Sequence, residues 1–189
     1  MTGWRVLTLK QPWAFAITYL GKRVENRVWA PNPAKLPLRV MIHAGKGWDP
    51  VRGHGRSAVL PDRSTVLKTE TAAGYEVCQR APSTSAWMSG TISQPFSAVV
   101  AVATITSAHH GWDRERCQRR VDYAGGPDVE MCSDWAEDGG VDEHGQMLSI
   151  QHWVLEDVEP LLQAVPAKGK LGLWVPDADL VEAVERQMF

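Results

Sequence analysis

The sequence predicts a single α+β domain, in which a small β-barrel carries flanking helices and long inserted loops. The stretch FSAVVAVATITSA, residues 96–108, is rich in β-branched residues and predicts a central strand. Apolar residues recur with a helical period near both ends of the chain. Polar stretches near 47–95 and 109–147 show little periodicity and predict insertions within one domain that spans 1–189.

The N-terminal segment predicts a strand followed by a helix. In WRVLTLK, residues 4–10, the side chains of Leu7 and Leu9 fall on one face of an extended chain. In the following QPWAFAITYLG, Pro12 suits the first helical turn, and Gly21 suits the position just after the last one.

After Gly21 the apolar period changes to two, which predicts an extended segment with a charged face. That face carries Arg23, Glu25, Arg27 and Trp29. The two arginines are expected to hold the carboxylate ionised, and a lysine next to the turn can reach either side. The segment predicts a site for an anionic group; by itself, the pattern also suits an ordinary solvated strand.

The remaining elements follow from the same patterns. LRVMIHAG (38–45), IQHWVLEDVEPL (150–161) and LGLWVP (171–176) predict strands. Asp177 is placed to cap a closing helix. The inner face of that helix carries Leu180, Val181, Val184 and Met188.

Charge is distributed unevenly along the chain, although its net value is only −2. Residues 1–56 hold ten Lys or Arg against two acidic residues, a balance of +8, so the remainder carries −10. Residues 122–159 contribute eleven Asp or Glu and no Lys or Arg. The asymmetry predicts a positive face that attracts phosphates, and nine tryptophans provide indole rings able to stack on bases.

The sequence predicts no membrane segment, no cofactor and no metal site. The start MTGWRVLTLK lacks the apolar core of a signal peptide, so a cytoplasmic location with free thiols is expected. His109, His110, Cys117 and Cys132 are residue types that bind zinc, but their spacing matches no compact zinc pattern.

Several motifs occur together in one order along the chain. They are QPWA (11–14), Lys22 with Glu25 and Arg27 after a glycine, IHAGK (42–46), HWVL (152–155) and KG followed by GLW (168–174). This order closely resembles the ASCH family, a branch of the PUA-like superfamily. One departure is that Gly21 directly precedes Lys22, whereas the family pattern GxKxxExR has one residue between them.

The resemblance implies a PUA-like pseudo-barrel of about five or six strands with a cleft beside the first helix. That cleft is expected to receive RNA, DNA or a modified nucleoside, with Lys22, Glu25 and Arg27 facing it. The residues predicted to bind nucleic acid are Trp13, Lys22, Glu25, Arg27, Trp29, His43, Lys46, Trp48 and Trp153.

An enzymatic alternative follows from the same resemblance. The acetylcytidine amidohydrolases of the family use a threonine nucleophile three residues after the lysine, and Glu25 stands at that position here. A carboxylate does not replace a hydroxyl as acyl acceptor, but it can activate water as a general base. The alternative is therefore a small hydrolase, an amidohydrolase or a ribonuclease, with Lys22 and Glu25 as catalytic residues.

Overall fold

A computed structural model describes most of the two ends of the chain and its central strand. The residues described are 3–11, 13–19, 21–48, 58–59, 65–66, 95–111, 117, 132–133, 135–137, 144, 146 and 149–188. The strands are Arg5–Gln11 (β1), Val24–Arg27 (β2), Leu38–Trp48 (β3), Ala58–Val59 (β4), Thr65–Val66 (β5), Ala98–His110 (β6), Gln151–Pro166 (β7) and Leu173–Trp174 (β8). The helices are Trp13–Tyr19 (α1) and Ala178–Glu185 (α2), with a short 3₁₀ helix at Pro33–Lys35.

Six strands form one mixed sheet in the order β2-β7-β6-β3-β1-β8. The β1–β3 pair is parallel and the other pairs are antiparallel. The stretch predicted as the central strand is β6, which lies inside this sheet. The curled six-stranded sheet with two helices confirms the predicted α+β class and strand number.

The sheet has an apolar core on each face, because alternate residues of its strands point to opposite sides. On one face, residues of β1, β3, β6 and β7 pack against Ala14 and Ile17 of α1. On the other, residues that include Val6 and Met41 pack against α2. Asp177 caps α2 as predicted, since its side chain accepts a hydrogen bond from the Leu180 N–H at 2.9 Å.

The corner between α1 and β2 depends on Gly21, whose backbone φ is +74°. Residues other than glycine rarely adopt this value. This turn reverses the chain, and the Lys22 N–H donates to the Ala16 carbonyl at 3.1 Å. As a result the Lys22 side chain is directed into the protein, where it is only 2% exposed.

Most of the two predicted insertions lies outside the described residues. Within the first, β4 and β5 pair antiparallel as a separate two-stranded sheet. Among the residues that the structure describes, no helix is long and apolar enough to cross a membrane.

Candidate functional site

A cleft of about 490 Å³ opens beside the start of α1, a volume within the range of small-molecule sites. Its walls come from β1, the start of α1, the corner that leads into β2, β2 itself, the end of β3, Glu137 and the segment before β8. Its polar and charged lining residues are Thr8, Lys10, Trp13, Lys22, Glu25, Asn26, Arg27, Lys46 and Glu137. The cleft therefore contains five of the nine residues predicted to bind nucleic acid: Trp13, Lys22, Glu25, Arg27 and Lys46.

Lys22, Glu25 and Arg27 form a row of alternating charge on the cleft wall. Lys22 Nζ lies 3.4 Å from Glu25 Oε2 and also donates to the Val24 carbonyl. Arg27 Nε lies 3.0 Å from Glu25 Oε1, and its Nη2 donates to the Thr8 carbonyl at 3.0 Å. Each carboxylate oxygen thus faces a cation, which compensates the charge of a Glu25 that is only 6% exposed.

Arg23 does not take the place predicted for it beside Glu25. Its guanidinium donates to the carbonyls of Ile17 and Lys22 at 2.9 and 3.1 Å. The Ile17 carbonyl lies in the last turn of α1, where a cation is favoured by the helix dipole, and the Lys22 carbonyl lies in the corner that follows. Lys22 is the second cation of the row instead, because the turn at Gly21 directs its side chain inward.

The predicted tryptophans separate into different environments. Trp13 is half-buried and lines the cleft, with its ring centroid 5.7 Å from Lys22 Nζ. Trp153 has no exposed surface, and its Nε1 donates to the Trp29 carbonyl at 2.9 Å. The Trp29 ring packs edge-on against it with centroids 4.5 Å apart. Trp153 is therefore a core residue with no surface on which a base can stack, and the side chain of Trp48 lies outside the described part.

His43 and Lys46 do not share a rim. Both lie in β3, whose pairing is irregular on either side of His43, and their side chains have different environments. Lys46 is exposed and lines the cleft, whereas His43 is 1% exposed and bonds to the Ala167 carbonyl through Nε2 at 3.0 Å. Gly169 lies so close to the His43 ring that a Cβ added at this position would collide with Cε1.

The burial of His43 predicts a pH-dependent stability. Burial lowers the pKa of His43 from 6.5, and the Ala167 carbonyl opposes this in part. A histidine with a lowered pKa binds its proton more tightly in the unfolded chain, so stability falls as the pH drops below 6.5. We expect the urea midpoint to decrease between about pH 7.5 and about pH 5.5, and to decrease less in His43→Gln. An equal decrease in both proteins would contradict the assignment to His43.

Two lining residues, Asn26 and Glu137, were not singled out by the sequence. Asn26 Nδ2 donates to the Trp135 carbonyl at 2.9 Å, and its Oδ1 accepts from the Glu137 N–H at 3.2 Å. These bonds hold a piece of the acidic segment against β2, so that Glu137 becomes part of the cleft wall. No local pattern predicts this contact, because 109 residues separate Asn26 from Trp135.

No family model matches the sequence, and no curated protein is detectably similar to it. ASCH from Zymomonas mobilis has a similar structure, with a TM-score of 0.48 and 12% identity over 98% of this chain and 96% of that chain. Two point mutants of the Zymomonas mobilis protein have TM-scores of 0.47, with 14% and 13% identity. These alignments cover 97% and 98% of this chain, and 97% and 96% of theirs.

The likeness is to ASCH domains. All three similar structures are ASCH proteins, and ASCH is the family that the sequence motifs of this chain resemble. At this identity and TM-score, the likeness concerns the fold alone and carries nothing about the cleft.

Proposed function

We propose that the protein binds nucleic acid through the cleft, with one unpaired nucleotide or modified nucleoside inserted beside α1. The observation that carries this proposal is the convergence of a buried row of alternating charge, a half-buried indole and an exposed lysine on one hollow. Phosphate contacts position a nucleic acid, while contacts to the base edge specify it. The cleft offers groups for both.

The charge of the lining favours an anionic guest. Four cations, Lys10, Lys22, Arg27 and Lys46, face two carboxylates, Glu25 and Glu137, which leaves a balance of +2. Lys46 is exposed at the mouth, where a phosphate keeps part of its hydration. Lys22 is almost fully buried and is therefore placed to contact the part of the nucleotide that enters the cleft.

The inner part of the cleft suits a base. The half-buried Trp13 provides an aromatic face, and stacking on such a face contributes about 1–3 kcal/mol per base. An ionised carboxylate has about four lone-pair positions. Glu25 uses some of these for its two cations and can accept a further hydrogen bond from an exocyclic amine. This chemistry favours cytosine or adenine.

A hydrolase remains the second candidate function, favoured by the contact between Lys22 and Glu25. An ammonium and a carboxylate 3.4 Å apart in a cleft can act as oxyanion stabiliser and general base on an N-acylated nucleobase. Because both carboxylate oxygens already face cations, binding without turnover is the preferred interpretation. Chromatography of N-acetylcytidine after incubation distinguishes the two: release of cytidine that is lost in a folded Glu25→Gln variant would establish the hydrolase.

Binding is tested by titrating labelled single-stranded and duplex oligonucleotides of RNA and DNA at about 50 and about 200 mM salt. We expect tighter binding to single strands, and a Lys46→Ala variant with weaker affinity and a salt slope smaller by about 0.7. Arg186→Ala is the matched control, since Arg186 is an exposed cation at the C-cap of α2 that pairs with Glu182. Absence of binding at low salt, or equal losses in the two variants, would overturn the proposal.

A further inference from the structure

Four metal-binding side chains meet at a place outside the cleft. They are His109 at the end of β6, His152 at the start of β7, and Cys117 and Cys132 from the connection between these strands. One ligand atom from each residue lies within 4.8 Å of all the others. The pairing of β6 with β7 places His109 directly opposite His152, with perpendicular rings whose centroids are 5.4 Å apart.

The distances within this cluster suit a tetrahedral ion. Cys117 Sγ and Cys132 Sγ lie 3.5 and 3.3 Å from His152 Nδ1. With Zn–S bonds of about 2.3 Å and Zn–N bonds of about 2.0–2.1 Å, a sulfur and a nitrogen at tetrahedral angles stand about 3.5–3.6 Å apart. The donors already have nearly the spacing that a zinc ion requires.

The orientation of His152 also suits a metal ligand. Its Nε2 lies 2.8 Å from the Glu137 carbonyl, which can only accept, so Nε2 carries the proton. Nδ1 is then the nitrogen with a lone pair, and it faces the two thiols. A histidine that ligates a metal commonly donates its other N–H to a carbonyl in this way.

We propose that His109, Cys117, Cys132 and His152 bind one structural Zn²⁺ ion. A donor set of two thiolates and two imidazoles, without carboxylates, favours zinc over magnesium or calcium. Four protein ligands complete the tetrahedron and leave no open position for a substrate, so the ion stabilises the fold.

The site connects the sheet to the wall of the cleft. Cys132 Sγ and the Glu137 carbonyl, at the two ends of a short segment, both contact His152. The backbone of this segment also bonds to Asn26. A bound ion would therefore fix this segment to β6 and β7, while the bonds to Asn26 hold it to β2. The prediction of no metal site rested on the spacing of His109, His110, Cys117 and Cys132 along the sequence. In the structure the fourth member of the cluster is His152 and not His110, because the pairing of β6 with β7 brings His152 opposite His109.

Metal content measures the site directly. The full chain, purified without a histidine tag and dialysed after zinc loading, is expected to retain one zinc per molecule. Cobalt loading is expected to produce the visible absorption of tetrahedral Co²⁺ with thiolate ligands. Cys117→Ser and Cys132→Ser are expected to lose both signals, whereas Cys78→Ser and His110→Gln retain them as matched controls.

A second measurement uses the wild-type protein, so it tests the proposal even where the cysteine variants do not fold. A strong chelator is expected to lower the melting temperature of the wild-type protein, because zinc binds the folded state and not the unfolded chain, and added zinc restores it. Hydrogen exchange at 132–137 is expected to accelerate on chelation. Substoichiometric zinc with no cobalt spectrum, a Cys117–Cys132 disulfide in protein kept under reducing conditions, or full zinc retention in Cys117→Ser would each overturn the proposal.

Discussion

Glu25→Leu is expected to lower the free energy of unfolding by about 3–5 kcal/mol, because it leaves the buried Lys22 ammonium without its counter-charge. Lys22 is 2% exposed, so water cannot replace the lost carboxylate without local opening. Arg27 also loses its ion-pair partner at 3.0 Å, although it is less deeply buried. Urea unfolding, followed by far-UV circular dichroism, measures the change.

Two comparisons show whether the buried charge is the cause. In the double variant Lys22→Met/Glu25→Leu no ammonium remains buried, and replacing both members of such a pair is often neutral. We therefore expect it to recover much of the lost stability. Glu182→Leu removes an exposed partner of Arg186 and is expected to change stability by no more than about 0.5 kcal/mol. A Glu25→Leu effect as small as that of Glu182→Leu would contradict the buried ion pair.

Trp153→Ala is expected to cost about 3–5 kcal/mol of unfolding free energy, the range for removing a large buried aromatic side chain. Trp153 has no exposed surface, belongs to the core between the sheet and α1, and packs edge-on against Trp29. Truncation leaves a cavity next to β2, the strand that carries Glu25 and pairs with Trp153. Urea unfolding again gives the measured value.

Trp153→Phe is the matched control for this prediction. It keeps an aromatic ring in the core but loses the bond from Nε1 to the Trp29 carbonyl, at an expected cost of about 1–3 kcal/mol. Its affinity for oligonucleotides is expected to equal that of the wild-type protein, because Trp153 does not line the cleft. Weakened binding by a stably folded Trp153→Phe protein would show instead that this residue contacts the nucleic acid.

The six strands of the main sheet and the two helices were predictable because their signals are local, whereas β4 and β5 lie in a stretch predicted only as an insertion. The change of apolar period at Gly21 marks the exit from α1, and Asp177 marks the start of α2. The β-branched stretch of β6 is buried along most of its length, as a strand inside a sheet requires. Such patterns depend only on the neighbours of a residue in the chain, so they can be recognised without knowledge of the fold.

Whether an individual side chain is buried or lines the cleft was predictable only in part. Lys22, Glu25 and Arg27 lie within six positions of one another in the chain. The row of alternating charge that they form could therefore be predicted from the local sequence. His43 and Trp153 appeared equally suited to a ligand, yet both are buried. Their environment depends on the face of the sheet that each strand presents, and distant elements decide this.

The sequence by itself determined the α+β class, the order of the two helices and the six strands of the main sheet, and the charged corner after Gly21. Only the tertiary structure decided which charges pair, which indoles are exposed and which thiols meet. His109 and His152 are 43 positions apart in the chain but directly opposite in the β6–β7 pair. The physical reason is that periodicity and turn chemistry act between near neighbours, whereas cavities and ligand clusters arise from long-range strand pairing, which no local pattern specifies.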